Sequence, residues 1–148
     1  MRHQITPTRS GMAQPEIVAA QLEHRDGELL DGVITGASLV ALADGSVDAA
    51  ERRQLLDFLC RNSLLSGFTR AEILDLFESR TRELRELRAP DLVLDSFGRL
   101  AGRSTARFVI EAGEEIAAAS FGIHRREQRA LELIRIALGL PHPERCAT

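Results

Sequence analysis

Lysine is absent from this chain; all 19 basic residues are arginine. That absence excludes Schiff-base chemistry on a lysine and the lysine of a phosphate-binding P-loop. Tryptophan and tyrosine are missing as well, so base stacking would fall to six phenylalanines or to arginine. A net charge of −3 gives no overall attraction to a phosphate backbone, and no nucleic-acid partner is expected. The only cysteines are Cys60 and Cys146. They form no motif and no disulfide framework, which points to a reducing, cytoplasmic setting. Cys60 falls inside an apolar helical pattern and is expected to be a small core residue. No apolar run approaches the ~18 residues needed to cross a bilayer, so no integral membrane segment is expected. The opening "MRHQITPTRSGMAQPE" has no apolar core of the kind a secretory signal carries.

What is present is helix after helix. Apolar residues make up 44% of the 148 positions and charged residues 28%, as in one globular domain able to bury a core. Residues 1–14 read as a flexible arm, 15–140 as a single helical domain with a first turn suited to Pro15, and 141–148 as a tail. No segment alternates apolar and polar residues as a half-buried strand would. The spacing predicts helices over 28–43, 48–62, about 69–87, 90–101, 104–119 and 124–138. These make an all-α bundle of about six to eight helices. Gly32 and Gly36, four apart, would let another helix approach closely, at about 1 kcal/mol of helix propensity each. Thr69 and Glu72 form a capping box, with Phe68 positioned to staple onto Ile73. Further along, Arg80, Arg82, Arg85 and Arg88 alternate with Glu78, Glu83 and Glu86, the pattern of a solvated face laced with ion pairs.

The chain repeats itself. "SLVALADGSVDAAERRQLLDFL" aligns without gaps to "EEIAAASFGIHRREQRALELIR", 76 positions on. Ala41 pairs with Ala117, Val47 with Ile123, Glu51 with Glu127 and Leu55 with Leu131. Two copies of helix–corner–helix imply a pseudo-symmetric bundle.

The first corner, "ALADGSVDAAE", has two readings. In one it only turns the chain: Gly45 closes a helix, Val47 plugs the corner, Asp48 caps the next helix and Glu51 sits at its third position. That account leaves Asp44 without a role. In the other, Asp44, Asp48 and Glu51 hold a divalent cation such as calcium, magnesium or zinc, together with the Ser46 carbonyl. Val40 and Leu42 stand where an EF-hand has its first acids, so a full EF-hand loop is excluded and only a weaker, wetter site is allowed. Glu111, Glu114 and Glu115 are the other dense acids. The second corner is poorer, with Ser120, Phe121 and His124 replacing Asp44, Gly45 and Asp48, and only Glu127 kept.

The core pattern A-D-G-x-[aliphatic]-x-x-x-E at Ala43, Asp44, Gly45, Val47 and Glu51, with its degenerate copy, resembles the tellurite-resistance TerB family over roughly Glu28 to Leu140. It is also similar to the N-terminal domain of the membrane-anchored DnaJ-like proteins. The resemblance implies an all-helical, two-halved, non-enzymatic module of stress-response systems. It further implies metal-linked and protein-interaction roles, with partners in a membrane-associated complex at the inner face of the membrane. Carried over residue by residue, the implied metal positions are Asp44, Asp48 and Glu51. No signature of an enzyme is present: there is no G-x-S-x-G, H-E-x-x-H, glycine-rich phosphate loop or C-x-x-C. An alternative role is a structural, homo-oligomerising domain without ligand, dimerising through Gly32 and Gly36 or through Leu131, Ile134 and Leu138 of the last helix.

Overall fold

In a computed structural model of the chain, residues 26–87, 90–119 and 125–141 are described. The expected arm, the helix start at Pro15, the second-corner residues 120–124 and the tail beyond 141 lie outside them. The described residues form six α-helices and two single turns of 3₁₀ helix, with no strand among them. The helices are α1 (Gly27–Leu42), α2 (Ala49–Arg61), α3 (Arg70–Leu87), α4 (Pro90–Gly98), α5 (Arg107–Ala118) and α6 (Arg125–Ala137).

Each of the first three helices starts on a side chain that accepts an otherwise orphaned backbone N–H. Asp26 Oδ1 accepts from Leu29 N at 3.0 Å, and Asp48 Oδ1 accepts from Glu51 N at 2.8 Å. The predicted capping box before α3 closes in both directions. Glu72 N–H donates to Thr69 Oγ1 at 3.1 Å and Thr69 N–H donates to Glu72 Oε1 at 3.0 Å. Helix α4 stops at Gly98, short of the expected Ala101, because the chain turns through Gly102 at a φ of 85°.

The repeat is visible in the element bounds. Ala49–Arg61 shifted by 76 is Arg125–Ala137, so α2 maps onto α6 end to end. Gly27–Leu42 shifted by the same amount covers the 3₁₀ turn Ser104–Ala106 and α5.

The equivalent helices α1 and α5 make the most extensive contact in the bundle, and α1 is buried almost all round. Close approach is what its glycines provide. A Cβ on Gly36 would lie 2.5 Å from Val109 of α5, and one on Gly32 would lie 2.2 Å from Leu100. Gly32 and Gly36 are therefore filled from within the chain, as are Leu131, Ile134 and Leu138, which are all buried. The dimer contacts expected of these residues are corrected accordingly: their surface is used inside the fold.

Two further expectations change. Cys60 is exposed, since the buried stripe of α2 runs through Leu55, Leu56 and Leu59 and Cys60 lies about 100° further round. Arg80 leaves the charged face of α3 and is 7% exposed. Its guanidinium donates to Asp31 Oδ1 at 2.6 Å and to Thr35 Oγ1, and lies 3.4 Å from Ser96 Oγ; Ser96 in turn donates to Asp31 Oδ2. This network joins α1, α3 and α4. Its partners are distributed over 65 positions of chain, so local spacing on α3 carried no sign of it.

A second clip holds the start of α1. Arg103 reaches Asp26 at 2.5 Å and Glu28 at 3.5 Å. Burial acts to raise the Asp26 carboxyl, but the Arg103 hydrogen bond and the Leu29 N–H outweigh it and hold the group below its ordinary value.

A candidate metal centre at the first corner

The corner between α1 and α2 has the geometry the capping account requires. Gly45 takes a φ of 109°, a left-handed conformation with no neighbour within 4 Å of a notional Cβ. Val47 is half-buried against the core. Asp48 is occupied as the cap of α2. Asp44 is exposed, and its Oδ1 receives only a long contact of 3.5 Å from Ser46 N.

Glu51 does something a capping residue need not do. It is 2% exposed, and so is Glu127 on α6. Each occupies a position in its helix's apolar stripe, Glu51 ahead of Leu55 and Leu59, Glu127 ahead of Leu131 and Leu138. One carboxylate oxygen each from Asp44, Glu51 and Glu127 lies within 4.8 Å of the others. The three come from the end of α1, the first turn of α2 and the first turn of α6.

Of the three sequence-predicted residues, the structure brings Asp44 and Glu51 together, and Asp48 stands beside them holding the Glu51 backbone. Glu127 joins from the other repeat. Its signal was in the sequence as the partner of Glu51 in the alignment: α1 packs on its equivalent α5, and the first turns of α2 and α6 meet at the corner. The other dense acids are engaged elsewhere or face out. Glu115 accepts from Gln54 Nε2 at 2.7 Å, Glu114 lies 3.5 Å from Arg135, and Glu111 is exposed.

Chemically the cluster is a set of hard oxygen donors. Two ionised carboxylates this close inside a protein repel each other and lack the water that would screen them, and a divalent cation relieves both penalties. Three carboxylates provide three to six oxygens, and the exposed Asp44 side leaves room for water to complete a six- to eightfold shell. Neither cysteine nor histidine is among the three residues, so the donor set suits calcium or magnesium better than zinc.

The described residues form an all-α bundle in which α1 and α2 repeat as α5 and α6, the fold class the A-D-G pattern implied. The chain belongs to the TerB family: the family model "Tellurite resistance protein TerB" matches residues 31–148, more than half of the chain. No curated protein and no solved structure matches it.

Proposed function

We propose that this chain is a non-enzymatic, cytoplasmic module of a stress-response system that binds a hard divalent cation and a protein partner. The cation is held by Asp44, Glu51 and Glu127, with Asp48 fixing the first turn of α2 so that Glu51 points inward. The observation that carries this reading is the convergence of three carboxylates from three elements, two of them withdrawn from solvent. A site so built joins the ends of α1, α2 and α6, so that occupancy by the cation bears on how α6 sits against the rest of the bundle. Among the described residues no helix is long and apolar enough to cross a membrane.

Calorimetric titration with calcium, magnesium, manganese and zinc, on the protein and on Asp44→Asn and Glu127→Gln variants, tests the metal part. The expected result is binding of calcium or magnesium that each variant weakens. No heat with any ion, or equal binding by all three proteins, removes the cation from the account. The ligand-free structural role is then favoured, since capping by Asp48 accounts for the corner without an ion.

A further inference from the structure

Three of the four exposed large apolar side chains among the described residues lie on α4 and α6: Leu94 is 64% exposed, Leu133 60% and Ile136 71%. Leu94 and Leu133 border a groove of about 390 Å³ between these two helices. Its floor and walls are apolar throughout, including Leu39, Val93, Phe97 and Ala130. Scattered exposed leucines need no explanation, but a continuous apolar groove flanked by them marks a surface that something covers.

The charges along its edges indicate what that is. On α4, Asp91 and Asp95 are exposed; on α6, Arg126 and Arg129 are exposed. None of the four forms an ion pair among the described residues. Asp91 and Asp95 thus face solvent on one helix and Arg126 and Arg129 on the other, without an ion pair among the described residues. The two helices also run the same way. Along α1, Gly32 faces Leu100 and Gly36 faces Phe97 of α4, while Gly36 faces Ile134 and Asp44, just past the helix, meets Glu127 of α6, so both helices run against α1. The N-terminal ends of α4 and α6 therefore stand at the same end of the groove, with Asp91 level with the Arg126–Arg129 turn.

We propose that this face is the interface between two copies of the chain, related by a two-fold axis parallel to the groove. That operation lays α4 of one copy over α6 of the other and keeps heights along the groove unchanged. Asp91 then meets the arginine turn of the second copy, Leu94 meets Leu133, and each contact occurs twice. A two-fold across the groove would set α4 on α4 and invert the heights, so Asp91 and Asp95 would face their own charge. Helices of 9 and 13 residues side by side cover about 20 × 20 Å of surface, about 800 Å² over two copies and less than a long-lived interface buries, so the association expected is weak and concentration-dependent. The inference is independent of the cation site.

Sedimentation equilibrium or light scattering on the full chain between about 1 and 500 µM tests it. The expected mass rises with concentration from 16.3 kDa toward twice that value. Leu133→Asp and Leu94→Arg, both at exposed positions, should remain monomeric with an unchanged circular dichroism spectrum. Asp91→Arg and the pair Arg126→Glu with Arg129→Glu should each weaken association by about tenfold, and combining all three changes should restore it. A mass fixed at 16.3 kDa throughout, or undiminished association of both leucine variants, overturns the proposal. So does a monomeric full chain that dimerises once residues 1–25 are removed, which would assign the groove to the chain's own N-terminal segment. Failure of the combined charge variant to associate refutes the two-fold arrangement.

Discussion

Glu127→Gln should stabilise the protein in the absence of divalent ions and lose that advantage when calcium or magnesium is added. The substitution keeps the shape of the side chain and removes one of the three groups that can carry negative charge. Glu51 and Glu127 offer oxygens within 4.8 Å of one another, and both residues are 2% exposed. At the effective dielectric that describes real protein sites, two unit charges at that separation repel by about 3 kcal/mol. Against a total stability of about 5–15 kcal/mol this is a large term, equivalent to a rise of roughly 10 °C in Tm for a chain of this length. A cation at a hundredfold excess over its Kd contributes about 2.7 kcal/mol to the wild type, and the variant forfeits most of it. The assay is thermal unfolding of both proteins in chelator and across a calcium and a magnesium series. The wild type should start lower and climb further. A variant less stable than the wild type in chelator refutes the electrostatic argument. Equal shifts of the two proteins with added ion refute the role of Glu127 as a ligand.

Arg80→Met leaves the Asp31 carboxylate without its principal buried partner and should cost about 3–5 kcal/mol in urea unfolding, while Arg80→Met with Asp31→Asn recovers much of that loss. Arg103→Ala should destabilise the protein at neutral pH. Because the folded Asp26 carboxyl is held below its ordinary value, this contribution is present above the unfolded-state value and fades as pH falls through the folded one. Unfolding curves of wild type and variant should therefore draw together in acid; a constant gap from pH 7 to pH 2 contradicts the linkage. Gly45→Ala should cost about 1–2 kcal/mol from its backbone conformation alone, because nothing crowds the added methyl group. A neutral result by denaturant titration would show that the corner relaxes.

Much of this protein was legible as sequence because its determinants are local. Helix positions follow from apolar spacing, the start of α3 from a capping box four residues long, and the corner from a glycine that must take a positive φ. The repeat was legible because both copies keep the same spacing, and the bounds of α2 and α6 reproduce it to the residue. What the sequence could not decide was the direction in which polar side chains point once helices pack. Glu51 and Glu127 look like ordinary first-turn acids, although their place ahead of Leu55 and Leu131 in two apolar stripes was a sign that they turn inward. Arg80 looks like one member of a solvated row, and only the approach of α1 and α4 makes it the centre of a buried network. Cys60 follows the opposite course, from apparent core to surface, because a single residue's rotation on a helix separates the two. Local spacing determined which helices form and where they turn; tertiary packing alone decided which charges meet, since carboxylates on separate helices become neighbours only when equivalent halves of the chain close on each other.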